Sequence, residues 1–138
     1  MTHSEFSVHD MSNFPIVRVR MQNLPAGYAR AWTAEMDVLL QQGQPFALLF
    51  LDAREEESHE DRKTRIRWLK AHKTTLASLC RGFVAVEPNA VKRLAKRAQG
   101  AVLGKTFGLR FLLARDTEEA EDLARRLLAG EAPLDADE

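Results

Sequence analysis

Residues capable of chemistry fall in a few places along this 138-residue chain. The acidic run Glu55, Glu56, Glu57, Glu60 and Asp61, with His59 inside it, has donor types suited to a divalent cation. Adjacent positions on a loop and a first helical turn point in different directions, so the expected role is a solvated cluster that complements a helix dipole. The stretch Gly100-Ala101-Val102-Leu103-Gly104-Lys105-Thr106 has the composition of a phosphate-binding loop. It places three residues between its glycines where that loop needs four, and a strand follows where a helix should. His3, His9 and His72 are too dispersed to be grouped, and Cys80 sits among apolar residues as a small core side chain. No acid–base pair or activated nucleophile stands out, so the expectation is a non-enzymatic protein with no metal and no cofactor.

The elements that would position these residues follow from hydrophobic periodicity. Phe14 to Met21 interleaves Ile16, Val17 and Val19 with Arg18 and Arg20, as a half-exposed strand requires. Phe6 to His9 is expected to pair with it as an antiparallel hairpin, with Ser12-Asn13 at the turn. Ala26 to Gln42 carries Tyr28, Trp32, Met36, Leu39 and Leu40 at helical spacing, with Gly43 as its stop. Phe46 to Leu51 is an apolar run ending in Asp52, the pattern of a strand covered on both faces.

A long helix from His59 to Leu79 is expected next, N-capped by Ser58, with Ile66, Leu69, Leu76 and Cys80 as its apolar stripe. Phe83 to Val86 is a further strand. Pro88-Asn89 then opens a helix whose Val91, Leu94, Ala95, Ala98 and Val102 share one face, expected to turn inward. Leu109 to Ala114 is the last strand, and Asp116 with Glu119 reads as a capping box for a final helix carrying Leu123, Ala124 and Leu127. Strict alternation of this kind predicts an α/β domain with a single mostly parallel sheet spanning 14–130, an N-terminal segment 1–13 that adds an edge strand, and an acidic tail 131–138. The functional crevice of such a sheet lies at the carboxyl ends of its strands, which singles out Asp52, Arg54 and Ser58 in the loop after the central strand.

Composition, with 45% hydrophobic and 29% charged residues, suits one domain core. The lone cysteine and the polar, acidic start lead to the expectation of a cytoplasmic protein without a signal peptide or integral membrane association. Net charge is zero, yet charge is segregated along the chain. From Arg62 to Arg110 thirteen Lys or Arg face Glu87 alone, whereas from Asp116 to Glu138 nine acids face Arg125 and Arg126.

Two consecutive helices supply most of the basic residues, and a positive surface is expected on Arg62, Arg65, His72, Lys92, Arg93, Lys96 and Arg97. Projected at 100° per residue, Trp68 and His72 lie off the apolar stripe beside Arg65, where Trp68 either anchors a partner or a second copy of the chain, or is covered by a neighbouring helix. The partner implied is an acidic protein or an anionic ligand, with nucleic acid the least favoured.

The segments FALLFLD, RIRWLKAH, RGFVAVEPNA and LRFLLARDTEEAEDLARRLL, in that order, resemble the SpoIIAA-like branch of the STAS/Sec14-like proteins over residues 14–130. That resemblance implies a regulatory protein-interaction domain. In its anti-sigma factor antagonists a serine of an Asp-Ser pair, at the start of the helix after the central strand, is phosphorylated. Here the loop reads Asp52-Ala53-Arg54-Glu55-Glu56-Glu57-Ser58-His59, so Ser58 lacks the preceding aspartate and is expected to be a helix cap. The lipid-binding relatives imply an alternative, a carrier of a small hydrophobic ligand lined by Trp32, Met36, Phe50 and Phe83.

Overall fold

Five consecutive apolar residues, Phe46–Phe50, form the strand around which the chain is built, because a strand with no polar face must be covered on both sides. The computed structural model describes residues 6–53 and 56–134. In chain order its elements are β1 (His9–Asp10), β2 (Ile16–Val19), α1 (Ala29–Gln42), β3 (Phe46–Phe50), α2 (His59–Ala71), α3 (Lys73–Leu79), β4 (Cys80–Val86), α4 (Ala90–Phe107), β5 (Phe111–Ala114) and α5 (Thr117–Leu128). The strands lie side by side in that same order; β1 runs antiparallel to β2 and every other pair is parallel. The α/β class with one mostly parallel sheet, and the hairpin at its N-terminal edge, are therefore as the alternation predicts.

Side-chain alternation along β3 divides the interior into two cores. Phe46 and Leu48 join Val17, Val19 and Phe83 beneath α1, α2 and α3, with Trp32, Met36, Leu39, Leu69 and Leu76 as the helical contribution. Ala47 and Leu49 point the other way, with Val84, Leu112 and Ala114, onto Ala120, Leu123, Ala124 and Leu127 of α5. One helix thus covers the second face, with Ala120 and Ala124 interleaved with Leu123 and Leu127 on its inward side.

Two expectations about helices are corrected. The long helix breaks at His72, whose φ of −114° and ψ of 17° leave the helical region. The Trp68 carbonyl there accepts from both the backbone N–H of His72 (3.0 Å) and its imidazole Nδ1 (2.9 Å), so the side chain takes part in ending the turn. The break lets α2 pack on α1 while α3 turns Leu76 into the core. It also moves Cys80 from the helical stripe to the first position of β4, where it is buried as a small core residue.

The second correction concerns α4. Its inward face is Arg93, Gly100 and Phe107, and the stripe expected to face the core is turned to solvent, with Val91 78%, Leu94 64% and Val102 66% exposed. The reason is close approach to β5. A Cβ at Gly100 would lie 2.3 Å from the Phe111 ring, and one at Gly104 2.6 Å from the Leu109 carbonyl oxygen. Only the glycine face fits there, whatever the apolar periodicity prefers.

Candidate interaction surface

Of the residues singled out in the loop after β3, Asp52 and Ser58 make hydrogen bonds within the fold. Asp52 accepts from the backbone N–H of Gln22 at 3.1 Å, tying the end of β3 to the turn after β2. Arg54 lies outside the described residues. Ser58 caps α2 as expected, its hydroxyl accepting from the Asp61 N–H at 3.1 Å and donating to the Asp61 carboxylate at 3.0 Å.

Asp61, expected in a solvated cluster, is buried instead and caps a different helix. Its two oxygens accept from the N–H groups of Gly27 (2.9 Å) and Ala29 (3.1 Å) at the start of α1. Glu57 also turns inward, accepting from Arg65 Nε at 2.9 Å and Nη2 at 2.7 Å and from the Tyr28 hydroxyl. Burial alone would raise the Glu57 carboxyl, but the Arg65 and Tyr28 hydrogen bonds outweigh it and hold it below the ordinary carboxylate value. Burial and the Glu57 carboxylate together push the Tyr28 hydroxyl well above its usual range. Glu57 and Asp61 thus diverge into separate structural bonds, Glu60 and His59 are exposed, and Glu55 lies outside the described residues.

Of the residues expected to form one basic face, most are engaged within the fold. Trp68 is 6% exposed, packed edge-on to Trp32 with ring centroids 5.5 Å apart, stacked on His72 at 4.4 Å, and donating from Nε1 to Asp37 at 2.8 Å. A neighbouring helix, α1, covers it, which is the second of the two expectations. His72 is half-buried beside the same Asp37, 3.4 Å from it. Arg65 is held by Glu57. Arg93 is buried, donating to the carbonyls of Glu87 (3.0 Å) and Pro88 (2.9 Å), and Lys96 pairs with Glu87 at 2.6 Å. Arg97 is half-buried, while Arg62 and Lys92 are exposed.

A narrower positive surface remains on α2. Lys63, Arg67 and Lys70 recur at spacings of four and three on its solvent side, flanked by exposed Arg62 and by Lys73 at the start of α3. None of the five side chains makes a hydrogen bond or ion pair among the described residues, and Glu60, at the N-terminal end, is the acid of α2 on that side.

The residues expected to line a ligand pocket are packed together. Trp32, Met36 and Phe83 are buried in the first core, and Phe50 meets Phe83 with ring centroids 5.7 Å apart. A cavity of about 660 Å³ lies elsewhere, beside the β1–β2 hairpin, with Phe6, Val8, Met11, Arg20 and Leu24 among its lining.

Sequence reasoning missed a buried polar cluster that fastens this hairpin. Glu35 of α1 accepts from the N–H groups of Ser7 (2.8 Å), Val8 (3.1 Å) and His9 (2.9 Å) and from His9 Nδ1 (2.9 Å). Burial acts to raise its carboxyl, but these donors prevail and bring it down to about 2. The available signal was a lone glutamate on the apolar side of α1, between Trp32 and Leu39. Compared with models of protein families, with curated proteins and with solved structures, the chain matches none.

Proposed function

We propose that this chain is a non-enzymatic regulatory domain that binds an acidic protein partner through the basic ridge of α2, as its resemblance to the SpoIIAA-like proteins implies. The supporting observation is the contrast between two sets of cations. Arg65, Arg93 and Lys96 spend their charge on internal carboxylates and carbonyls, whereas Arg62, Lys63, Arg67, Lys70 and Lys73 stand in water without a carboxylate partner among the described residues. Like charges at helical spacing repel one another, so a face of this kind gains most when an anionic surface neutralises it. The proposed setting is the cytoplasm, and burial that pushes the Cys80 thiol up to about 12 keeps that cysteine out of disulfide exchange.

Ser58 is given no regulatory phosphate in this reading, because its hydroxyl is committed at both ends to Asp61. The test is affinity capture from extract with the wild type, an Arg67→Glu/Lys70→Glu variant and an Arg125→Glu control. Partners recovered by the wild type and the control, released by salt and lost from the α2 variant, are the expected result. Equal recovery by all three proteins removes the ridge from consideration.

A further inference from the structure

The outward face of α4 is apolar where a solvated helix should be polar. Val91, Leu94, Ala95, Ala98, Ala101 and Val102 fall within a band about 120° wide at 100° per residue, and all six are exposed. From Val91 to Val102 the band runs about 16 Å along the axis at ~1.5 Å per residue. It cannot be an accident of a loosely seated helix. Arg93 is bonded to two carbonyls on the opposite face, and Gly100 and Gly104 are pressed against Phe111 and Leu109, so the rotation that would bury the band is blocked.

We infer that this band docks an amphipathic helix of a partner protein, apolar on one face and bordered by Asp and Glu. Shape favours a helix: the centre of the band is alanine at positions 95, 98 and 101, which admits a second backbone closely, and larger side chains stand towards each end. Charge selects the partner. α4 contains no Asp or Glu, its exposed cations are Lys92 and Lys105, and Lys105 continues the line of the band itself. A second copy would set Lys105 of one chain beside Val91 and Lys92 of the other across an antiparallel pair, bringing like charges together. The area points the same way, since one helix face about 16 Å long buries well under the ~1,200 Å² of a stable dimer but suits a transient helical contact. This rests on the reading of the chain as an interaction domain, and assigns the contact to a different helix from the basic ridge.

The test uses two designed helical peptides of the same apolar Leu/Ala face, one flanked by Glu and one by Lys, with binding followed by fluorescence anisotropy at near-physiological salt. The Glu-flanked peptide is expected to bind the wild type at least about tenfold more tightly than the Lys-flanked one, a difference of ~1.4 kcal/mol. A Leu94→Glu/Val102→Glu variant, both positions being exposed, is expected to keep its thermal unfolding midpoint and lose at least about tenfold in affinity. The Arg67→Glu/Lys70→Glu variant is expected to retain the peptide. No binding, equal binding of both peptides, or binding unchanged in the α4 variant would overturn the inference. Loss of the peptide in the α2 variant alone would also overturn it while leaving the basic ridge standing. A wild-type dimer that the α4 variant converts to monomer would make the occupant a second copy.

Discussion

Glu35 illustrates how a single side chain fixes the position of a segment far from it in sequence. It holds the start of β1 by five donors, the Ser7 hydroxyl among them, and because its carboxyl is depressed to about 2 from an ordinary 4.5, the sign of its pH effect follows. The contribution is fully present above 4.5 and is lost as pH falls from there through about 2. Glu35→Gln is expected to remove roughly 3 kcal/mol of stability at neutral pH and to flatten the acid limb of a denaturation-versus-pH series. A variant with the wild-type acid limb would show that the carboxylate is not the anchor. Trp68 makes the complementary point about surfaces. Read from the helical wheel it stands apart from the apolar stripe, but α1 covers it and supplies Asp37 to its indole N–H. Trp68→Ala is therefore expected to cost about 3–5 kcal/mol in urea unfolding, as a core truncation does, rather than to act selectively on binding.

At the scale of elements, α4 shows a close contact overruling a hydrophobic pattern. Alanine is the better helix former by about 1 kcal/mol, so Gly100→Ala on an exposed helix would stabilise. Here the added methyl meets the Phe111 ring at 2.3 Å, and the strain of such overpacking, about 1–3 kcal/mol, exceeds that gain. A lowered denaturation midpoint is expected, and a raised one would mean that α4 sits further from β5. The start of α1 depends on another element in the same way. Removing the carboxylate with Asp61→Ala leaves the N–H groups of Gly27 and Ala29 without their acceptor, and about 2–4 kcal/mol of stability should go with it, measured by thermal unfolding against a Ser58→Ala variant that costs only about 1.

For the whole molecule, the charge separation along the chain becomes a division of labour in space. Cations that reach a carboxylate or a carbonyl brace the fold, and those of α2 that reach none face outward. Reversing two of the outward ones, Arg67→Glu with Lys70→Glu, is expected to change folding stability by no more than about 0.5 kcal/mol, which separates a binding defect from a folding defect. The order of strands and helices, the buried character of β3, and the caps at Ser58, Asn89 and Asp116 are legible in the chain, because propensity, periodicity and capping act over a few residues. Tertiary structure decided which face of α4 turns inward, where the helix after β3 breaks, and that Trp68, Arg93 and Asp61 lie inside. Each of those outcomes depends on a partner remote in sequence or on the clearance between two elements: Phe111 against Gly100, Asp37 against Trp68, Gly27 and Ala29 against Asp61. A helical wheel registers how apolar a face is, but not how near the neighbouring strand will come, and in α4 that distance determined which surface is left exposed.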